Sequence, residues 1–198
     1  QKWQKARFQG KLEKILTELT EKNGIAMTSS GRSDDSISGS KLQPLKVELA
    51  IATVKYLSKC LYPKMDPEIL SEDFIEHSEY YLDWMYPPEK KYLVKTASGR
   101  KHLAKEIVSK SSEMIRKFYE KRPSSRLHVE AVGAAVFYLV CFANKVYVNH
   151  RGLAERIGYS ASTIRNAEKK LLKALKDDKK LLLSLGPNAN IIYGCFLE

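Results

Sequence analysis

The sequence predicts an all-α fold, and two observations lead to this prediction. Apolar residues recur at intervals of three and four along almost every periodic stretch, which is the spacing of one helix face. The content of 43% apolar and 29% charged residues is typical of a globular chain and not of a disordered or membrane one. The longest apolar stretch, Ala131 to Ala143, has 13 residues. Because a membrane-spanning helix needs about 20 residues, this stretch predicts a buried core helix instead.

The first half of the chain is predicted to contain four helices. Asn23-Gly24 ends the first of them, and the Ser-rich stretch 24–43, with six Ser, predicts a mobile loop. Pro44 is suited to the first turn of the next helix, and Pro87-Pro88 is a predicted hinge. The acidic run before this hinge indicates a solvated helix face, and a site for a basic partner is the alternative. The predicted helices span residues 3–22, 45–61, 67–76 and 77–86.

The second half repeats this order of helices. A long amphipathic helix is again followed by an apolar one and two shorter ones, over residues 101–121, 127–144, 150–157 and 161–176. The two halves therefore predict a tandem repeat, with one unit at 1–86, a linker at 87–100 and a second unit at 101–176. An extension at 177–198 follows. Its two apolar runs around Gly186-Pro187-Asn188 predict a β-hairpin.

The positive charge is concentrated in one part of the chain. The net charge is +11, and residues 100–176 contain 17 Lys and Arg against 6 Asp and Glu, whereas the rest of the chain has 17 of each sign. This asymmetry indicates a polyanionic partner, most often nucleic acid. A lysine-rich surface that serves only solubility is the alternative.

The usual signatures of catalysis and metal binding do not occur in this sequence. Cys60, Cys141 and Cys195 are far apart and lie among apolar residues, which predicts reduced cysteines packed in a core. The four His are solitary, and no CxxC, HExxH, phosphate-binding glycine loop or GxSxG is present. We therefore expect no enzyme, no cofactor and no metal in these residues.

The most specific motif is HRGLAERIGYSASTIRNAEKKLLKALK at 150–176. The spacing of Ala154, Gly158 and Ile164 is that of a helix-turn-helix, in which a small residue permits a close crossing and a glycine takes the turn. Ser160 is the expected N-cap of the second helix. Its packed face is expected to consist of Ile164, Ala167, Leu171, Leu172 and Leu175.

The exposed face of this second helix is predicted to bind DNA. Residues near its N-terminus are expected at base edges in the major groove, while later cations contact phosphates. A helical hairpin with a solvated lysine face is the alternative. A second basic cluster at 116–126 either follows backbone phosphates or keeps the protein soluble. The predicted DNA-binding residues are Ser162, Thr163, Arg165, Asn166, Lys169, Lys173, Lys176, Arg151 and Arg126.

The second half resembles the second cyclin-like repeat of transcription factor IIB. The resemblance rests on VEAVGAAVFYL followed by RGLAERIGYSASTIRNAEKKL, and extends to residues 1–86 only through the order of helices. It implies two cyclin-like repeats, with Arg165 reading a promoter element beside the TATA box and Ser162 and Thr163 as its neighbours. It also implies that promoter DNA, TATA-binding protein and RNA polymerase are the partners. A monomer in the nucleus of a eukaryotic cell is expected, with a zinc ribbon preceding Gln1.

Two alternatives remain open from the sequence. A winged-helix regulator over residues 127–198 would use the predicted hairpin as its wing, although residues 181–198 contain no Lys or Arg to hold DNA. A cyclin-like protein-interaction module would instead bind a peptide between its helices. The basic stripe that begins at Arg165 argues against protein interaction as the only function.

Overall fold

The computed structural model describes residues 39–61, 97–146 and 148–194, together with Gly10 and Lys14. These ranges form helices and contain no strand, which confirms the all-α prediction. The helices are α1 (Gly39–Leu61), α2 (Ala97–Lys121), α3 (Val129–Ala143), α4 (His150–Ile157), α5 (Ala161–Leu175), α6 (Lys179–Ser184) and α7 (Ala189–Gly194).

Helix α3 is the centre of the molecule. It is apolar on every side, nearly all of its residues are buried, and it contacts α1, α2, α4 and α5. Small residues allow its neighbours to approach closely. A Cβ atom on Gly133 would lie 2.7 Å from the carbonyl oxygen of Ala50 in α1, so only glycine fits at this crossing. The prediction of a buried central helix over 127–144 is therefore confirmed.

Helix α1 packs into the same core as the helices of the second half. Its Val54 and Leu57 are buried in one apolar cluster with Phe118 of α2 and Phe137 of α3. The Gln43 side chain donates a hydrogen bond of 3.1 Å to the carbonyl of Tyr119 at the end of α2. Helix α1 therefore shares one core with α2 and α3.

Several helix boundaries differ from those predicted. Because α1 begins at Gly39, residues 39–43 of the predicted Ser-rich loop are helical and Pro44 lies inside the helix. Helix α2 begins at Ala97, so residues 97–100 of the predicted linker are helical too. The predicted helices 3–22, 67–76 and 77–86 and the remainder of the Ser-rich stretch lie outside the described residues, so the tandem repeat stays a prediction.

The predicted C-terminal β-hairpin is wrong, because residues 179–194 form α6 and α7. Asp178 caps α6 by accepting a hydrogen bond from the Leu181 amide at 3.2 Å, and Leu181, Leu182 and Leu185 are buried at helical spacing. The Gly-Pro-Asn sequence connects two short helices instead of two strands. The winged-helix alternative therefore loses its wing within residues 179–194.

Hydrogen bonds fix this helical extension to the end of α3. The buried side-chain amide of Asn144 donates to the carbonyls of Val140 at 2.8 Å and Leu185 at 2.7 Å. The Lys110 ammonium group donates to the same Leu185 carbonyl at 3.0 Å, and the Asn188 amide donates to the Ala143 carbonyl at 3.0 Å. The extension is thus an integral part of the helical core.

None of the described helices combines the length and the hydropathy that crossing a bilayer requires.

Cys141 is a free and fully buried thiol, as the sequence predicted, and burial raises its pKa well above the usual value.

Candidate nucleic-acid interface

Helices α4 and α5 form a helix-turn-helix whose ends are set by local hydrogen bonds. The Asn149 side chain caps α4 by accepting from the Gly152 amide at 2.7 Å. Gly158 ends α4 with φ of 79°, a left-handed conformation that favours glycine, and its N–H donates to the Ala154 carbonyl at 2.9 Å. Ser160 caps α5 by accepting from the Thr163 amide at 3.1 Å. The predicted roles of Gly158 and Ser160 are both confirmed.

The packing between the two helices also follows the prediction. Leu153, Ala154 and Ile157 of α4 are buried, so the small side chain of Ala154 lies inside the crossing. The buried residues of α5 are those expected from the sequence, namely Ile164, Ala167, Leu171, Leu172 and Leu175. Burial of this face against α3 and α4 fixes which side of α5 faces the solvent.

The solvent face of α5 displays a row of cations, which we call the basic stripe: Arg165, Lys169, Lys173 and Lys176. Each of these side chains is exposed, and none forms an ion pair with another described residue. They fall at intervals of four, four and three and therefore lie on one helix face. The stripe borders a shallow groove whose other walls are His150, Glu168 and Leu172.

The polar side chains in the first turn of α5 lie at one end of the stripe. Ser162 and Asn166 are exposed and Thr163 is half-buried. The Ser160 hydroxyl lies 2.7 Å from the Ser162 hydroxyl and 2.8 Å from that of Thr163. A hydroxyl has one donor and two acceptor positions, so Ser162 and Thr163 retain capacity for an external partner while Ser160 orients them.

Glu168 is the single carboxylate of α5, and it pairs with His150 in the wall of the groove that the stripe borders. The His150 Nε2 atom lies 2.7 Å from Glu168 Oε2, and both side chains are largely buried. The imidazole ring also packs on Tyr138 of α3, with 4.0 Å between ring centroids. This three-residue contact fixes α5 relative to α3 and α4. Residues 150 and 168 are distant along the chain, so the sequence pattern does not predict this contact.

The turn of the motif is attached to the first turn of α3. The Tyr159 hydroxyl donates to Glu130 Oε2 at 3.1 Å, and its ring lies 5.1 Å from the His128 ring. Burial, followed by the negative charge of Glu130, raises the pKa of Tyr159 to about 12. Tyr159 therefore remains a neutral hydrogen-bond donor throughout the physiological pH range.

The remaining predicted DNA-binding residues lie on either side of α5. Arg151 projects from the first turn of α4 and lies 3.3 Å from Glu155. Arg126 is exposed in the loop between α2 and α3. In the second basic cluster, Lys117 pairs with Glu120 at 2.9 Å, which raises its pKa. The exposed members Arg116, Lys121, Arg122 and Arg126 form no ion pair with a described residue.

The chemistry available in this region is binding by charge and by hydrogen bonds. Among the described residues, no group of three His, Cys, Asp or Glu side chains is placed to hold a metal ion. The arrangement consists of a rigidly held helix with cations along its outer face and hydroxyl and amide groups at its start. No protein-family model matches the chain, and no curated protein or solved structure is significantly similar to it.

Proposed function

We propose that this protein binds duplex DNA, with the helix-turn-helix at the major groove and α5 as the recognition helix. The observation that carries the proposal is the basic stripe. Four exposed cations share one face of α5, and the single carboxylate of that helix pairs with His150 instead of with them. The phosphates of duplex DNA would supply the negative charges that these cations lack within the protein. The major groove is also wide enough to admit an α-helix.

The roles of the individual side chains follow from how such a helix docks. The first turn of a recognition helix approaches the base edges, and later turns approach the backbone. Arg165 is therefore assigned to a base, where its guanidinium group can form two hydrogen bonds to guanine. Asn166, Ser162 and Thr163 are assigned to neighbouring bases. Lys169, Lys173, Lys176 and, on α4, Arg151 are assigned to phosphates.

We further propose that the protein is a transcription initiation factor of the factor IIB type. Support comes from the order of helices, the Ala-rich α3 at the centre and the resemblance of residues 100–176 to a cyclin-like repeat. On this proposal the protein is not an enzyme, and it bridges promoter DNA, TATA-binding protein and RNA polymerase in the preinitiation complex in the nucleus.

The test is a gel-shift titration with Arg165→Ala on DNA selected from a randomised duplex library. If Arg165 reads a base, the variant loses about 1 to 3 kcal/mol of affinity, and the loss depends on the base at one position. Lys170→Ala is the matched control, because Lys170 is also an exposed cation of α5 but lies outside the stripe. Its loss should be smaller and equal for all sequences. A sequence-independent loss for Arg165→Ala would instead make this residue a phosphate contact.

Adding TATA-binding protein separates the two parts of the proposal. A ternary complex on TATA-containing DNA that forms with the wild type and is weakened by Arg165→Ala is the expected result. DNA binding without any effect of TATA-binding protein would refute the factor IIB assignment alone. Absence of binding with and without the partner would refute both parts and favour the cyclin-like protein-interaction module.

A further inference from the structure

The end of α2 and the loop that follows it carry a second set of exposed cations, which we call the loop cations: Lys121, Arg122 and Arg126. None of them forms an ion pair with a residue that the structure describes, and residues 121–129 contain no Asp or Glu. Three unopposed charges lie within six residues of sequence. This density of charge is typical of an anion-binding surface.

The backbone of this loop is held in place. The Arg122 amide donates to the Phe118 carbonyl at 2.8 Å, and the Ser125 amide donates to the Arg122 carbonyl at 3.1 Å. From α1, the Lys46 ammonium group reaches the carbonyls of Pro123 at 3.4 Å and Ser125 at 3.2 Å. Because the backbone is fixed, binding a ligand orders the side chains of the loop cations without also ordering the loop.

The loop lies beside the start of the recognition helix. Its last residue, His128, packs on Tyr159, and Glu130 accepts the hydrogen bond of the same tyrosine. Tyr159 immediately precedes Ser160, the N-cap of α5. The loop and the first turn of α5 therefore belong to one end of the molecule, the end at which the proposed base-reading residues lie.

We propose that the loop cations bind the phosphodiester backbone of the same duplex, at the edge of the groove that α5 enters. An α-helix with its side chains is about 10 to 12 Å wide, and the major groove is about 12 Å wide, so the helix fills it. An element that packs beside the start of that helix therefore meets the phosphate strand and not the bases. This inference rests on the proposed function, and it makes the loop a contributor to affinity without sequence preference.

The test compares two double variants of the full chain on the selected duplex over a series of salt concentrations. Arg122→Gln/Arg126→Gln removes two loop cations. Lys59→Gln/Lys105→Gln is the control, because it removes the same charge from exposed sites on α1 and α2. Lys59 is 13 residues beyond Lys46 along α1, and Lys105 is 16 residues before Lys121 along α2, so each site is about 20 Å or more from the loop. Circular dichroism verifies that both variants fold.

Each phosphate contact contributes about 0.9 to the slope of log affinity against log salt concentration. We expect the loop variant to lose about 1.8 of that slope and to retain the base preference attributed to Arg165, while the control keeps the wild-type slope. If wild type binds with a steep slope and both variants match it, the inference is overturned and the proposed function stands. If wild type does not bind the duplex, both the inference and the proposed function are refuted. If the loop variant keeps its DNA slope but no longer joins TATA-binding protein, the loop is a protein contact and the inference is overturned.

Discussion

Substitution of Gly133 by alanine tests the crossing of α1 and α3 that holds the core together. The new Cβ atom would lie 2.7 Å from the Ala50 carbonyl oxygen and 2.9 Å from the Thr53 Cβ atom. Neither neighbour moves easily, because one is helix backbone and the other belongs to a buried side chain whose hydroxyl donates to the Leu49 carbonyl at 3.0 Å. Overpacking against atoms that cannot move falls in the upper part of the usual range, about 2 to 3 kcal/mol, and alanine recovers about 1 kcal/mol through its higher helix propensity.

The net effect expected for Gly133→Ala is a loss of about 1 to 2 kcal/mol in the free energy of unfolding. For a chain of this size the melting temperature should fall by about 2 to 8 °C, as measured by far-ultraviolet circular dichroism. Gly194→Ala is the matched control, since no heavy atom lies within 4 Å of its added Cβ. The control should be unchanged or slightly more stable. A Gly133→Ala variant as stable as wild type would show that α1 does not approach α3 as described.

Further predictions concern the cap of α5 and two tyrosine hydroxyls, one with a hydrogen-bond partner and one without. Ser160→Ala should lower the free energy of unfolding by about 1 kcal/mol because it removes the α5 cap, as a thermal melt would show. Ser160→Asp should keep the cap but weaken DNA binding, because it places a negative charge at the groove, as a gel shift would show. Tyr119→Phe should stabilise the fold by about 1 kcal/mol, because the buried Tyr119 hydroxyl has no hydrogen-bond partner among the described residues. Tyr159→Phe should instead destabilise the fold, because it removes the hydrogen bond to Glu130. Folding raises the pKa of Tyr159 from 10.0 to about 12. The contribution of Tyr159 to the free energy of unfolding is therefore complete below pH 10 and is lost as the pH rises to about 12. Urea unfolding in this pH range should therefore show a smaller alkaline loss for Tyr159→Phe than for wild type, and an equal loss would contradict the assigned contact.

The helix-turn-helix could be predicted from sequence because its determinants are local. Gly158 and Ser160 end one helix and begin the next through bonds that reach no more than four residues along the chain. The packed face of α5 follows from helical periodicity alone. As a result, α4 and α5 begin and end within one residue of the predicted limits.

The errors arise where the signal is short or depends on distant residues. The apolar run at 181–185 is too short for periodicity to distinguish a strand from a buried helix, and the Gly-Pro-Asn turn favoured the hairpin. Asp178 was the overlooked sign of a helix start. The contacts of His150 with Glu168 and of Tyr159 with Glu130 join residues far apart in sequence. No local pattern encodes such pairs.

The hydrogen bonds around Asn144 make the C-terminal extension part of the smallest unit that retains the described core. A fragment ending at Lys176, where the predicted repeat ends, would lack Leu185 and Asn188. The buried Asn144 amide would then lose its bond to the Leu185 carbonyl, and the Ala143 carbonyl would lose the Asn188 amide. Each unsatisfied buried polar group costs about 1 to 3 kcal/mol, and the apolar surface covered by Leu182 and Ile192 would become exposed as well. The unit that retains this core therefore includes α6 and α7 as well as α1, although neither α6 nor α7 takes part in the proposed contact with DNA.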